Sequence, residues 1–169
     1  TSPGHLQLGV MMKITSVFES EHLRIGTAGS LFIVVYAGAT SAEEIAIVDR
    51  EEGRFIEQRG KISLLSVVVQ SGGTIDRISE EVRAAALEMV KKYQHHVTAD
   101  AVVVPARGIL AAIIRTFMVG FSLVSRRPYP NKVFGQLNEA IAWLKQVPGQ
   151  DQTFADSTTD HSSVHAFTS

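Results

Sequence analysis

The chain has 169 residues, 45% of them hydrophobic, and this length and composition are typical of a single globular domain rather than a disordered chain. Its 16 lysines and arginines against 17 aspartates and glutamates leave a formal net charge of −1, which excludes the strongly basic surface of a general nucleic-acid binder. Because cysteine is absent, disulfide scaffolds, thiolate zinc sites and cysteine nucleophiles are excluded, and the composition fits a reducing cytoplasm.

The two ends of the chain differ in composition from the middle. Residues 1–12 lack the charged segment and apolar run of a secretory signal, so we interpret them as an N-terminal extension of natural or cloning origin. Residues 148–169 are rich in Ser, Thr and Asp and show no apolar period, which predicts a flexible tail. We therefore expect one domain over residues 13–147.

The segment "HLRIGTAGSLFIVVYAG" predicts a β-hairpin near the start of this domain. Leu23 and Ile25 alternate with polar residues, Ala28-Gly29-Ser30 supplies the turn, and "LFIVVYAG" is typical of a strand covered on both faces. The preceding "KITSVFES" is compatible with a short additional strand.

Two helices and a strand are predicted next. Ser41 and Glu44 form a capping box, which starts a helix that ends at Gly60. The run "KISLLSVVV" follows as a buried strand and "QSGGT" as a loop. A second helix is indicated by Ile75, Ile78 and later apolar residues at helical spacing, and it ends near "KKYQHH".

The remainder of the domain is predicted as strand "ADAVVVP", short helix "RGILAAIIRTF", strand "MVGFSLVS" and final helix "KVFGQLNEAIAWLKQ", with Trp143 at the edge of the core. The predicted order is β-β-α-β-α-β-α-β-α. It favours an α/β fold with a mixed sheet of about five strands and about four helices, in which the strands after the hairpin are parallel. A transmembrane segment is disfavoured, because the apolar run is shorter than about 20 residues and contains Arg115.

The short helix is more apolar than one sheet contact requires. Its large apolar residues, which occupy much of its circumference, are Ile109, Leu110, Ile113, Ile114 and Phe117. We expect the spare apolar side to contact a second subunit, a ligand or the C-terminal tail.

The "QSGGT" loop is the first candidate site, because it joins the carboxyl end of a buried strand to the start of a helix. Its candidate residues are Ser71, Gly72, Gly73 and Thr74. Neither G-x-G-x-x-G nor G-x-x-x-x-G-K-[ST] is present. Two interpretations stay open: a flexible turn with Thr74 as the helix cap, or a functional loop phosphorylated at Ser71 or Thr74.

Charged residues give weaker signals. Arg107, Arg126 and Arg127 flank the apolar segment and either attract an anion or simply increase solubility. An acidic group on the first helix is interpreted as a solvated face rather than paired catalytic carboxylates; its members are Glu43, Glu44, Asp49, Glu51 and Glu52. Since no nucleophile, base or metal cluster converges in the sequence, we predict a non-enzymatic protein without cofactor or metal.

The element order, together with "VSRRPYPNKVFGQLNEAIAWL", resembles the STAS superfamily, and more narrowly the STAS-like proteins grouped with sporulation-type anti-sigma-factor antagonists and CRAL-TRIO-like lipid-binding domains. The likeness spans about Glu21 to Lys145. It implies a bacterial, cytoplasmic signalling module that binds a kinase-like or sensor protein, or a second copy of itself as a homodimer. The alternative is a binder of a lipid or other apolar molecule through the hydrophobic helix 108–117.

The resemblance also implies a role for the loop after the core strand. In antagonist proteins a Ser or Thr at this place is phosphorylated by a partner kinase, and the matching residues here are Ser71 and Thr74. The usual Asp-Ser-(Ser/Thr)-Gly-Leu string is absent from the loop. A phosphate here would add nearly two negative charges at a helix N-terminus and so repel or recruit a partner.

Overall fold

The chain folds into a six-stranded mixed sheet with helices on both faces, as seen in a computed structural model. The structure describes residues 13–69, 78–104, 107–148 and 161–169. The strands are β1 (Thr15–Glu19), β2 (Leu23–Ala28), β3 (Leu31–Ala37), β4 (Ile62–Val69), β5 (Val97–Val103) and β6 (Asn131–Phe134). The helices are α1 (Ala42–Arg59), α2 (Glu80–Tyr93), α3 (Ile109–Ser125), α4 (Leu137–Gln146) and α5 (His161–Thr168).

The strands lie in the sheet in their chain order, β1-β2-β3-β4-β5-β6. The first three are antiparallel, and β3 to β6 are parallel. A tight turn closes the β2–β3 hairpin, with Ala28 opposite Leu31 and Gly29 at a φ of 59°, where glycine carries no steric penalty. The predicted hairpin, the additional strand in front of it and the alternating helices and parallel strands are thus confirmed.

The two faces of the sheet carry different layers, because successive side chains of a strand point to opposite sides. One face packs against α4 and α5. Its fully buried side chains include Ile33, Leu65, Ile141 and Leu144. Trp143 is half-buried at the margin of this layer, with its ring 5.5 Å from that of Phe134, which confirms its predicted place at the core edge.

Helix α1 covers part of the other face and has both ends defined by local sequence. The Ser41 hydroxyl accepts from the Glu44 amide at 3.1 Å, and the Glu44 carboxylate accepts from the Ser41 amide at 3.0 Å. The helix ends at Gly60, whose φ of 78° favours glycine. The predicted capping box and C-terminal stop are confirmed.

Helix α2 begins later than predicted. Its first residue is Glu80, and the Ser79 hydroxyl caps it by accepting from the Val82 amide at 3.2 Å. The expected helical positions therefore do not extend back to Ile78, which precedes the cap, and Ile75 lies outside the described residues. A serine N-cap followed by Glu80 and Glu81 is a strong local start signal, since the acidic side chains favour the positive end of the helix dipole.

Helix α3 corrects the prediction of a short helix followed by a strand. It continues without a break through Ser125, and the last strand lies further on, at Asn131–Phe134, in a segment predicted to begin the final helix. Gly120 does not interrupt α3, and the helix ends only where Arg126 adopts the left-handed conformation, at a φ of 44°, two residues before Pro128. Among the described residues, no helix combines the length and apolarity needed to cross a membrane.

The C-terminal residues His161–Thr168 form helix α5, which differs from the predicted flexible tail. Val164 is fully buried in the layer shared with α4, and the Phe167 ring lies where a Cβ on Gly26 would come within 2.7 Å. Strand β2 therefore carries a glycine where an aromatic ring packs directly on its backbone. This packing holds helix α5 against the sheet.

Candidate functional site

A cavity of about 210 Å³ lies between the sheet and helices α1, α2 and α3. The strands supply its floor, with Val34 from β3, Leu64 and Ser66 from β4 and Val102 from β5. These positions follow the pleat of the strands, so the cavity lies on the sheet face opposite α4 and α5. Its walls are almost entirely apolar.

The cavity exists because α2 and α3 do not pack closely on the sheet. Helix α2 packs mainly against α1 and α3, whereas α4 packs directly against β4, β5 and β6. The side chains that α2 directs inward include Val82, Ala86 and Met89, while α3 contributes Phe117 and Phe121. The small side chain of Ala86 leaves space that a larger residue would occupy.

Glu52 on α1 is the unusual member of this lining. Its residue is only 3% exposed, and it makes no hydrogen bond or ion pair with any of the described residues. Burial, with smaller contributions from the nearby carboxylates of Asp100 and Asp49 and a lowering by Lys92, raises the pKa of Glu52 to about 8. The carboxyl group is therefore mainly protonated at neutral pH and can donate a hydrogen bond.

A buried ion pair closes the cavity near β5. The Arg127 side chain is 2% exposed and donates to the Asp100 carboxylate at 2.6 Å. Arg127 also donates to the Ser122 hydroxyl at 2.7 Å and to the Asn131 side-chain oxygen at 2.9 Å, while its Nε has no partner among the described residues. Burial raises the pKa of Asp100 despite the opposing effect of Arg127.

Tyr36 at the end of β3 completes the polar part of the lining. Burial raises the pKa of its phenol, and the carboxyls of Glu52 and Asp100 raise it further, so the group stays neutral. The site thus places a phenol, a buried carboxyl and an internal ion pair in an otherwise apolar chamber. This combination is typical of small-molecule sites, in which a few polar groups fix the ligand orientation.

The apolar residues predicted on the short helix have separate locations. Ile114 and Phe117 line the cavity, whereas Ile113 is half-buried and does not line it. Ile109 is 79% exposed, and the side chain of Leu110 lies outside the described residues. Ligand or interface roles of all five remain a prediction.

The three predicted anion-binding arginines also differ in their surroundings. Arg107 and Arg126 are exposed, while Arg127 forms a buried ion pair with Asp100. Anion binding by Arg107 and Arg126 remains a prediction. The candidate phosphoacceptor loop, with Ser71, Gly72, Gly73 and Thr74, lies outside the described residues.

Glu52 was missed by the sequence analysis, which assigned it to a solvated acidic face. That assignment is wrong for Glu51 and Glu52, which are 8% and 3% exposed. A signal for Glu52 is present in the sequence, because it falls between Val48 and Phe55 at the i, i+4, i+7 spacing of the buried helical stripe. Asp100 could have been suspected from its place inside the apolar strand "ADAVVV".

Comparison with known protein families supports the predicted kinship. A family model described as SpoIIAA-like matches residues 31–145, from strand β3 to the end of helix α4. A search of curated protein sequences found no significant match. SpoIIAA-like domains are of the anti-sigma-factor antagonist type and are generally regulatory rather than enzymatic. Since the match covers most of the chain and agrees with the fold, the chain belongs to the SpoIIAA-like family.

Proposed function

We propose that this protein is a regulatory module that binds a small, mainly apolar molecule in the cavity between the sheet and helices α1, α2 and α3. The observation that carries the proposal is the cavity of about 210 Å³ itself, with its apolar walls and few polar groups. It refines the alternative suggested by the sequence, because the ligand would lie beneath the inner side of α3, formed by residues such as Ile114 and Phe117, and not on the helix as a whole.

The energetics of the cavity favour an occupant. The cavity is partly open to solvent, so the cost of its missing packing contacts lies below the value of about 5 kcal/mol that a fully enclosed void of 210 Å³ would carry at roughly 24 cal/mol per Å³. Its volume equals about seven water molecules at roughly 30 Å³ each, but apolar walls offer water few hydrogen bonds. Burying an alkyl chain of about eight carbons would contribute roughly 6 kcal/mol of favourable free energy. Because association itself costs part of this free energy, we expect an affinity in the micromolar to millimolar range.

The direct test is titration calorimetry with 1-octanol as the probe, on the parent protein and on two leucine variants of α2. Ala86 lines the cavity, whereas Ala84 on the same helix is exposed. We expect Ala86→Leu to weaken octanol binding at least tenfold and Ala84→Leu to leave it unchanged. Thermal unfolding of both variants verifies that they are folded. Equal octanol affinity in the parent and both variants, or no binding to the parent, would contradict the proposal.

We also propose that the outer side of α3 contacts a second copy of the chain. Among the side chains that the structure describes on this helix, four large apolar ones are exposed: Ile109 at 79%, Val119 at 65%, Leu123 at 74% and Val124 at 64%. Such a cluster on one helix is typical of an interaction surface. It agrees with the protein-interaction role of the family, while the phosphoacceptor role of Ser71 or Thr74 remains a separate proposal.

Sedimentation velocity tests this contact. We expect the parent protein to sediment as a dimer and Leu123→Asp as a monomer, because a charge would be buried at the contact. Ala46→Asp, on an exposed position of α1, is the matched control and should remain dimeric. A monomeric parent protein at all concentrations tested would show that this proposal is wrong.

A further inference from the structure

Glu52 is a buried carboxyl group that has no hydrogen-bond or ion-pair partner among the described residues. It is 97% removed from solvent, since its exposed fraction is 3%, and it faces the cavity. Among the described residues no donor pairs with it. A buried carboxyl group that no described residue pairs with is costly, so we expect a ligand in the cavity to supply its partner.

The charge balance of the cavity indicates the sign of that partner. Among the residues that the structure describes, the charged groups that line the cavity are Glu52, Asp100 and Arg127, and the arginine is already paired with Asp100 at 2.6 Å. The charges of this ion pair compensate each other, so among the described lining residues only Glu52 lacks an opposite charge. A cation entering the cavity would stabilise the ionised form of Glu52, which has no positive partner among the described residues.

The groups around Glu52 on neighbouring elements support this sign. Asp49 lies on the same helix, Asp100 comes from β5, and Tyr36 from β3 is neutral. Lys92 of α2 lowers the pKa of Glu52, but it is paired with Asp49 at 3.1 Å and exposed to solvent. None of these groups provides the buried positive charge that Glu52 lacks.

We propose that the ligand of this cavity is a cationic amphiphile, an apolar chain that carries a primary ammonium group, and that Glu52 is the carboxylate that pairs with it. This inference rests on the proposed ligand-binding function and specifies the chemical class of the ligand. The chain occupies the apolar walls, and the ammonium group donates to the Glu52 carboxylate. A fatty acid is disfavoured, because its carboxylate would face Glu52 and Asp100.

Binding of such a ligand has a proton balance that can be measured. The free protein holds a proton on Glu52 near neutral pH, since burial and the neighbouring carboxylates raise its pKa to about 8. The ammonium group keeps its own protons and stabilises the ionised carboxylate, so Glu52 releases its proton to solvent. We expect the affinity for an ammonium ligand to rise between pH 6 and about pH 8, and the affinity for a neutral alcohol to stay level.

The experiment compares three probes of equal chain length, 1-octanol, n-octylammonium and octanoate, by calorimetry on the full chain. The parent protein should bind octylammonium at least tenfold more tightly than octanol at pH 8, with octanoate weakest. Glu52→Gln should lose this preference, so that octylammonium binds the variant no more tightly than octanol does. The control Glu57→Gln, on an exposed position of the same helix, should retain the preference.

The outcomes distinguish this inference from the proposed function. Octanol binding with no preference for octylammonium would overturn the cationic ligand and leave the apolar site standing. Tightest binding of octanoate would overturn it as well, since the Nε of Arg127, which has no partner among the described residues, would then be the recognition group.

Titrations of the unmodified protein in two buffers of different ionisation enthalpy give a second test. Release of close to one proton per octylammonium is expected at pH 7, and no release would contradict the assignment.

Discussion

Replacing Glu52 with glutamine should change the pH dependence of folding stability. Glutamine has nearly the shape of the protonated carboxyl group but cannot ionise. In the parent protein the pKa of Glu52 rises from 4.5 to about 8 on folding, chiefly because the side chain is buried. The raised value means that the native state holds a proton which the unfolded chain has lost at intermediate pH.

The sign follows from this proton count. Between pH 4.5 and pH 8 the native state binds more protons at Glu52 than the unfolded state, so stability falls as pH rises. The stabilisation that the Glu52 proton provides is fully present below pH 4.5, the pKa in the unfolded chain, and is lost as the pH rises to about 8, the pKa in the folded protein. At about 1.36 kcal/mol per unit of pKa, the shift corresponds to a loss of about 3–5 kcal/mol over this range. That amount is a large fraction of a typical total stability of roughly 5–15 kcal/mol.

Urea unfolding from pH 5 to pH 8.5 measures the effect. We expect the parent and Glu52→Gln to differ by less than about 1 kcal/mol at pH 5 and the variant to be more stable by about 3–5 kcal/mol at pH 8.5. Glu57→Gln, which alters an exposed carboxyl on the same helix, controls for the general loss of a negative charge. Parallel pH profiles for the parent and Glu52→Gln would refute the reasoning, because they would show that Glu52 has the same pKa in both states.

Two further predictions concern packing and charge in the same layer. Arg127→Met should destabilise the protein by about 3–5 kcal/mol in urea unfolding, because it leaves the Asp100 carboxylate buried and unpaired. Adding Asp100→Asn to this variant should restore much of the lost stability. Equal stability of the single and double variants would contradict this prediction. Gly53→Ala should lower the free energy of unfolding by about 1–3 kcal/mol, since the new Cβ would lie 2.5 Å from the Tyr93 hydroxyl. Gly120→Ala should instead stabilise α3 by about 0.5–1 kcal/mol, because no atom lies within 4 Å of the new Cβ. Stabilisation by both alanines in thermal unfolding would show that the Tyr93 contact is relieved without cost.

The sequence predicts the elements from the β2–β3 hairpin to strand β5 well, because the signals are local. The capping box at Ser41, the turn at Gly29 and the apolar runs of β3 and β4 each specify an element without reference to the rest of the chain. Once those elements alternate, parallel strands joined by crossover helices follow from general connection rules.

The extent of α3 could not be derived in the same way. The residues after Met118 are apolar and include β-branched types, which suit a buried strand as well as a buried helix, and periodicity does not separate the two. Gly120 lies inside the predicted strand, yet a glycine inside a helix costs only about 1 kcal/mol, which continued hydrogen bonding along the helix offsets. The first strong stop signal is the segment of Arg126 and Pro128, where α3 does end.

The cavity itself was also beyond sequence reasoning. Its existence depends on how far α2 and α3 lie from the sheet, and this distance is set by tertiary packing rather than by any local pattern. Glu52 falls at the helical spacing of the buried residues of α1, which indicates its burial, but the neighbouring acidic residues favoured the interpretation of a solvated face. The Asp100–Arg127 ion pair joins positions 27 residues apart and becomes visible only in the fold.

The most direct test of the central claim is the position of a bound probe in solution. Nuclear Overhauser contacts between 1-octanol and methyl-labelled protein should connect the alkyl chain to Val34, Ile114 and Met118, which line the cavity. Contacts confined to Val119 and Leu123, on the exposed part of α3, would contradict the account, as would the absence of any contact at saturating octanol.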